Sequence, residues 1–324
     1  MRIFVTQPLL GEGAQRLQAL GDVRVFPDAS RILPREILLE EIRQCDILCC
    51  LLQDRIDRGV IEAAGSLRLI AAGVVVPANV DVVYATARSI PVTSIPNIVA
   101  ETTADLQWGL LLAAARRIVE GDKGLRHGLF PGSQSVYFAG GEVHGRTLGS
   151  IGLGAIGKAI ARRARGFGMR ILYTQRHRLG AAEEAELGVE FRSLDDLLRE
   201  SDFVTLNASY NPDAHHLIGA AELAAMKPTA YLINTARGPL VDEAALVDAL
   251  AKHRIAGAAL DVYEQEPKVH PGLLDLDNAV LTPHLGSATR PIREQIASVI
   301  ANNVEAFVQG RPLPNLYNPA ALAR

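Results

Sequence analysis

Cysteine is scarce in this chain: there are three, and Cys45, Cys49 and Cys50 all fall in one apolar stretch, CDILCCLL. No histidine or cysteine elsewhere completes a zinc pattern, so no metal site is expected. The three read as buried strand residues acting as small hydrophobes, with a metal site or a redox pair as the weaker alternatives. The chain also lacks an apolar run of the ~18 residues that a membrane-spanning helix needs. Its first residues, MRIFVTQPLL, show no charged region followed by a long apolar core, so no signal peptide is read there. Nor is one charge sign in excess: 33 Lys and Arg against 36 Asp and Glu leave a net charge of −3. That disfavours a general nucleic-acid or anionic-membrane binder. There is no internal repeat and no low-complexity segment. The expectation is a cytoplasmic protein without nucleic-acid or membrane partners.

What remains is an ordinary globular profile, 48% hydrophobic and 21% charged over 324 residues, long enough for two domains. The first third alternates β-rich runs (IFVTQ, VRVF, DILCCLL, LRLIAAG) with helical patterns (EGAQRLQAL, PREILLEEIRQ, RGVIEAA). Such alternation implies βαβ units on a parallel sheet. A long helical pattern over roughly Ala100–Glu120 follows, then a glycine-rich segment, GDKGLRHGLFPGSQSVYFAGGEVHG. A loop of that size usually has a task, and it reads as an arm or an active-site border. A second α/β series comes next, with TLGSIGLG, RILYT, FVTLNA, AYLINTA, AGAALDV and AVLTPH as strands. The last helical pattern, RPIREQIASVIANNVEAFVQG, has no strand after it and can cross back to the first domain.

Gly152-Leu153-Gly154-Ala155-Ile156-Gly157 fits G-x-G-x-x-G. Alone the pattern is weak. Here a β run precedes it (RTLGSI) and a helix-forming run follows (KAIARRARGF), which is the setting of a dinucleotide fingerprint. The first glycine permits the tight turn, the second lets a pyrophosphate approach the backbone, and the third lets helix pack on strand. Free N–H groups at the helix start then receive the phosphates. Arg162, Arg163 and Arg165 on that helix read as a solvated face.

The next strand ends in YTQRHR. An acid that reads a ribose 2′-hydroxyl is expected ~20 residues past the first glycine, where this chain has the neutral Gln175. Nothing there repels a 2′-phosphate. Arg176 is placed to pair with one through charge-assisted bonds, and Thr174 and Gln175 can add hydrogen bonds. NADP preference is the expectation, with NAD use left open. The competing reading is a solvated basic loop with dual cofactor use.

Three further segments end or follow β runs: NTARG (234–238), LDVYEQEP (260–267) and LTPHLGS (281–287). They put Arg237, Glu266 and His284 near carboxyl ends of strands, where open α/β sheets bind ligands. Reduction of a 2-oxo acid needs such a set. An arginine holds a carboxylate or carbonyl oxygen through its fork of donors. A histidine gives a proton to the oxygen as hydride reaches the carbon. A carboxylate beside a histidine favours its charged form and fixes the ring. Each residue alone has a plainer role: Arg237 as a strand-end cap, Glu266 as a surface acid, His284 as a satisfied core histidine.

Over essentially its whole length, most clearly from about Ala100 to Thr289, the sequence resembles the D-isomer-specific 2-hydroxyacid dehydrogenase family. The carriers are ETTADL, HGRTLGSIGLGAIGKAIARRA, NTARGPLVDEAAL, ALDVYEQEP and LTPHLGSAT. The resemblance implies an α/β fold of two doubly wound parallel-sheet domains. A Rossmann cofactor domain (99–287) is inserted into a flavodoxin-like substrate domain (1–98 plus 288–324). It further implies Arg237 for substrate binding, Glu266 as the partner of the histidine, and His284 as acid/base. Asp261 is implied near the nicotinamide amide and Thr103 near the cofactor, with Asn207, Ala208, Thr235, Ala236 and Gly286 also on the cofactor side. A homodimer is implied, with about Gly121–Gly145 as its arm. YTQRHR and Asn207-Ala208-Ser209 resemble the glyoxylate/hydroxypyruvate reductase branch: many NAD-using relatives have proline where Ser209 stands and an acid where Gln175 stands.

The first-domain substrate loop departs from the family pattern. Relatives commonly have Val-Gly followed by an aromatic and an Asp, whereas this chain reads Ala72-Gly73-Val74-Val75-Val76-Pro77-Ala78-Asn79. Val76 replaces the glycine, so its Cβ is expected to narrow the pocket or forbid a φ > 0 backbone. Pro77 removes one donor. The N–H groups of Val75 and Val76 remain for a substrate carboxylate. The resulting expectation is an NADP-preferring D-2-hydroxyacid dehydrogenase working as a 2-oxo acid reductase, with glyoxylate or hydroxypyruvate leading. One rival is a cofactor-sensing corepressor, whose relatives tend to carry extra terminal segments where this sequence ends on NLYNPAALAR. The other is a phosphite- or formate-type dehydrogenase. Valine rather than lysine at position 75 disfavours phosphite, and Glu266 rather than glutamine disfavours formate.

Overall fold

The β-rich runs of the first third form strands β1 (Arg2–Val5), β2 (Asp22–Val25), β3 (Ile47–Cys50), β4 (Leu69–Ala72) and β5 (Val92–Thr93) in the computed structural model, which describes residues 1–323. They pair in parallel in the order β2-β1-β3-β4-β5, a flavodoxin-like order. Strands β3 and β4 are buried throughout and therefore read ILCC and LIAA, unbroken apolar runs without alternation. Cys45, Cys49 and Cys50 are free and buried there. Burial pushes the Cys45 thiol up to about 12, so it packs and does not react. The helix Arg290–Val308 lies on β4 and on the helix Gly11–Gln18. Beyond it, Asn318 accepts the Val92 N–H at 2.7 Å. The chain thus divides into two compact units, Met1–Ile98 with the segment from Ala288 onward, and Val99–Ser287.

The second unit carries β6 (Thr147–Ile151), β7 (Arg170–Thr174), β8 (Val189–Phe191), β9 (Phe203–Leu206), β10 (Tyr231–Asn234), β11 (Gly257–Leu260) and β12 (Ala279–Leu281). Their order is β12-β11-β10-β9-β6-β7-β8, and every pairing is parallel. This is the doubly wound Rossmann order with one strand added. The order reverses between β6 and β9, so the turns after Ile151 and Leu206 flank the crevice where such sheets bind ligands. Alternate residues feed the two faces, as a strand's period of two requires. Ile171, Tyr173 and Phe203 join a core with Trp108 and Ile160, while Leu172 and Val204 join Leu232 and Leu246 on the other side.

The helical pattern expected from Ala100 to Glu120 is in fact two helices, Ala100–Ala115 and Ile118–Arg126. The second runs into the segment expected to be loop. Arg117 breaks the run at φ 52°, a conformation that costs a non-glycine residue roughly 1–2 kcal/mol. Bonds to Glu120 at 2.7 and 2.5 Å and the Phe138 ring, 5.1 Å from the guanidinium, offset that cost. Gly121 and Gly124 each weaken a helix by about 1 kcal/mol relative to alanine, which is why the segment looks non-helical. The Asp122–Arg126 pair one turn apart, at 2.8 Å, works in the helix's favour.

Candidate active site

Strand β6 delivers the chain to Gly152, whose φ of 92° suits glycine alone. A Cβ there would sit 2.8 Å from the Ala208 nitrogen. The Asn207-Ala208 turn comes that close because the Asn207 N–H donates to the Ile151 carbonyl at 2.8 Å. The Asn207 Nδ2 also donates to Ser150 Oγ at 2.9 Å. Gly157, in the helix Ala155–Gly166, packs on the Gly152 carbonyl, where a Cβ would be 2.6 Å away. Gly154 instead faces open space at the start of that helix. The protein's own packing requires the first and third glycines, and the second leaves room for a ligand. Two buried polar atoms on the same carboxyl edge, Asn207 Oδ1 and Thr235 Oγ1, have no partner among the described residues. An open glycine at a helix N-terminus beside orphaned polar atoms fits a dinucleotide.

Thr174 closes β7 and accepts the Gly152 N–H on its carbonyl oxygen at 2.8 Å. Gln175 braces the turn: its Oε1 accepts the Leu153 N–H at 3.0 Å and its Nε2 donates to the His177 carbonyl at 2.7 Å. Arg178 is already engaged, with two 2.8 Å bonds to Glu184 and its guanidinium 5.4 Å from the Phe191 ring centre. The Tyr173 hydroxyl donates to the same carboxylate at 2.7 Å. Arg178 first, and Tyr173 second, hold the Glu184 carboxyl down at about 2. Arg176 is exposed and bonds to no described residue. Of the two arginines, only Arg176 is free to meet a ligand. On the glycine-loop helix, Arg162 and Arg163 pair with Glu101 at 2.6 and 2.8 Å, a surface role.

His284 Nδ1 lies 2.8 Å from Glu266 Oε2. The other Glu266 oxygen accepts the Tyr263 N–H at 3.1 Å, so the carboxylate cannot swing away. Burial, the largest single influence, pushes the Glu266 carboxyl up. The His284 hydrogen bond and charge, the Tyr263 N–H and the Arg237 charge together outweigh it and hold the group below its ordinary 4.5. Glu266 therefore stays ionised against the ring. The Arg237 side chain reaches solvent, yet desolvation by the surrounding protein draws its guanidinium below its ordinary value, against the opposing charge of Glu266. Its Nη1 donates to the Ala236 carbonyl at 2.6 Å. Asn234, buried at the end of β10, clamps this turn by accepting the Ala236 N–H at 3.0 Å and donating to the Arg237 carbonyl at 2.9 Å.

Asp261 is 1% exposed. Its carboxylate accepts the Thr282 hydroxyl at 2.6 Å, the Leu285 N–H at 2.7 Å and the Gly286 N–H at 2.8 Å. Thr103 Oγ1 lies 2.8 Å from the Val99 carbonyl oxygen and 3.1 Å from that of Gly286. Asp261, Thr103 and Gly286, far apart in sequence, thus converge on the loop that carries His284. Ser150 is not among the expected site residues, its only signal being a polar side chain inside an apolar β run, and Asn234 is legible only as the first residue of the NTARG segment.

In the other unit, Val76 is 50% exposed and is not among the residues with positive φ. The loop backbone is not left-handed at this valine, as its Cβ requires. The N–H groups of Val75 and Val76 bond to no described residue. Two adjacent free donors therefore remain in the loop.

Residues 108–286 match the sequence family described as D-isomer specific 2-hydroxyacid dehydrogenase, NAD binding domain. The chain belongs to that family. The glyoxylate reductase of Thermococcus kodakarensis is 46% identical to it over 321 residues, covering 98% of this chain and 96% of the relative. The TT0316 protein from Thermus thermophilus superposes with a TM-score of 0.91 at 41% identity, covering 98% of this chain and 100% of that one. An NADPH-dependent glyoxylate/hydroxypyruvate reductase from Sinorhizobium meliloti, solved with NADP and malonate, gives a TM-score of 0.83 at 30% identity, covering 99% and 97%. As a D-isomer-specific 2-hydroxyacid dehydrogenase, the protein is an NAD(P)-dependent oxidoreductase acting on 2-hydroxy acids. The expected pair of parallel-sheet α/β domains is borne out. No helix among the described residues is long and apolar enough to cross a membrane.

Proposed function

We propose that this dehydrogenase works as an NADPH-preferring reductase of a small 2-oxo acid, glyoxylate or hydroxypyruvate. The observation that carries the reading is the 2.8 Å His284–Glu266 pair, in a chain that aligns at full length with a glyoxylate reductase. The bound nicotinamide supplies the hydride. His284 gives the proton on Nε2 to the substrate's carbonyl oxygen as negative charge develops there. Glu266 stabilises the charged ring before that transfer and keeps Nε2 aimed outward. Arg237 offers its fork to the carboxylate or carbonyl oxygen, and the free N–H groups of Val75 and Val76 supply further carboxylate donors. In the oxidative direction the same ring takes the hydroxyl proton back.

The 152–157 loop, the Asn207-Ala208 turn and Thr235-Ala236 hold the dinucleotide in this reading, with Thr103, Asp261 and Gly286 shaping its nicotinamide end. NADPH preference is supported by Gln175 standing where an acid would repel a phosphate, and by Arg176 having no other partner. A homodimer belongs to the same reading. Leu125, Leu129, Phe130 and Val136 are exposed at 59%, 57%, 76% and 82%, and an apolar row of that kind marks an interaction surface. A cytoplasmic location completes it.

The test follows NADPH and NADH oxidation with glyoxylate, hydroxypyruvate, pyruvate and a bulkier 2-oxo acid, comparing kcat/KM. Fast NADPH-dependent turnover of one of the first two is expected. A clear NADH preference would reduce YTQRHR to a solvated loop. Cofactor binding without turnover would favour the corepressor-like rival.

A further inference from the structure

Outside the residues assigned to the reaction, the second unit gathers another set of titratable side chains. His215, His216 and Glu264 each offer one ligand atom, and these atoms all lie within 4.8 Å of one another. Successive side chains on an extended segment point to opposite sides. Here His216 adopts φ 54°, and its ring stacks on that of His215 with centroids 4.0 Å apart. His216 Nε2 is 2.6 Å from Glu264 Oε1, and Asp242 Oδ2 stands 3.9 Å from Nδ1 of the same ring. The Tyr210 hydroxyl is 3.5 Å from His215 Nδ1. The frame is firm: Glu264 Oε2 accepts the Glu243 N–H at 3.1 Å, and the His216 N–H donates to the Pro239 carbonyl at 2.9 Å.

We propose that His215, His216 and Glu264 form a binding site for a zinc-like divalent cation. Two imidazoles and a carboxylate are a zinc donor set that leaves a fourth position for water, and imidazole selects such ions over magnesium or calcium. Bonds of about 2.0–2.2 Å at a tetrahedral centre put ligand atoms roughly 3.3 Å apart, which a small adjustment of these side chains reaches. The ion takes the place of the 2.6 Å contact between His216 Nε2 and Glu264 Oε1. Asp242 then orients His216 through its other nitrogen, as carboxylates do behind zinc-bound histidines. In the sequence, adjacent histidines and a distant glutamate show no ligand spacing. Only the fold brings them together.

An ion here would tie the segment after β9, which starts at Asn207, to the stretch that carries Glu266. Glu264 is two residues before Glu266, and the Gly238–Leu240 turn presses on it so closely that a Cβ on Gly238 would fall 1.9 Å from the Tyr263 carbonyl carbon. The cation is therefore a clamp on the frame of the catalytic segment, not a participant in hydride transfer. This inference does not rest on the choice of substrate or of nicotinamide cofactor.

Untagged protein stripped with a chelator would be titrated with ZnCl2 by calorimetry, beside His215→Gln and Glu264→Gln. The expected result is one zinc per chain, bound at least about tenfold more weakly by either variant. Zinc at a hundredfold excess over its Kd should also raise the wild-type Tm by roughly 5 °C, with no such rise in the variants. His215 is exposed, so His215→Gln removes a ligand without disturbing the core, and its circular dichroism should match wild type. No uptake by wild type, or equal uptake in wild type and His215→Gln, would overturn the proposal.

Discussion

His284 donates its backbone N–H to the carbonyl oxygen of Asp261 at 3.0 Å while holding a left-handed φ of 55°. Such a conformation is uncommon outside glycine and persists where its surroundings over-determine it. The Asp261 carboxylate does so by taking the Leu285 and Gly286 N–H groups on the far side of the same residue. The imidazole is thus set from two directions, by Asp261 through the backbone and by Glu266 through Nδ1.

Asp261→Asn puts an amide donor where two N–H groups and a hydroxyl now find acceptors. The expected cost is about 1–3 kcal/mol of stability, with kcat falling more than KM rises because the ring loses its place. Urea unfolding and steady-state kinetics read both. A wild-type kcat in this variant would remove Asp261 from the positioning of His284.

Glu266→Gln keeps an acceptor near His284 but removes the charge, and kcat/KM should fall by roughly 10²–10⁴. The pH dependence has a definite sign. An acid held below its ordinary 4.5 in the folded protein contributes stability that is complete above about pH 4.5 and is lost as pH falls through the folded value. The stability gap between wild type and variant should therefore shrink on acidification from pH 7 to below 4.5. A gap that widened instead would contradict the lowered carboxyl.

Arg176→Ala should reduce kcat/KM for NADPH by about 10–100-fold, the worth of a charge-assisted bond, and leave NADH almost untouched. Arg178→Ala should affect the two cofactors alike, since Glu184 already holds that guanidinium. Gln175→Asp should weaken NADPH further by adding a negative charge and releasing the Leu153 N–H. Equal losses for NADPH and NADH in Arg176→Ala would rule out a 2′-phosphate contact.

Two glycines of the same loop should respond differently to alanine. Gly154→Ala meets no atom within 4 Å, so Tm should hold while dinucleotide binding weakens by about tenfold or more, the new methyl standing where the pyrophosphate approaches. Gly157→Ala drives a Cβ to 2.6 Å from the Gly152 carbonyl oxygen and should cost about 1–3 kcal/mol. Fluorescence titration and thermal scans separate the two effects. Similar Tm losses in both would mean that Gly154 too is a packing residue.

The segment 121–145, proposed as a dimer arm, offers a simple assembly test. Phe130→Asp with Val136→Asp places charge on two side chains exposed at 76% and 82%. Light scattering should show a dimer for wild type and a monomer for the double variant, with secondary structure unchanged. A monomeric wild type would leave the apolar row without its proposed partner.

By itself the sequence determined what local pattern can encode. Apolar runs alternating with helical ones specified parallel sheets, and strand–glycine loop–helix specified a candidate dinucleotide loop. Arg237, Glu266 and His284 were legible as candidates because each lies in a segment that ends or follows a strand. Tertiary structure decided what depends on distant segments meeting. Arg176 is the free arginine only because the helix Ala181–Leu187 returns Glu184 to Arg178. The helix after Ala100 breaks at Arg117 only because Phe138 and Glu120 compensate a conformation that the residue itself disfavours. Asp261 holds the His284 loop, and His216 meets Glu264, because strand order sets which turns are neighbours. Residue periodicity records which face of an element is buried, but it carries no record of which other element covers that face.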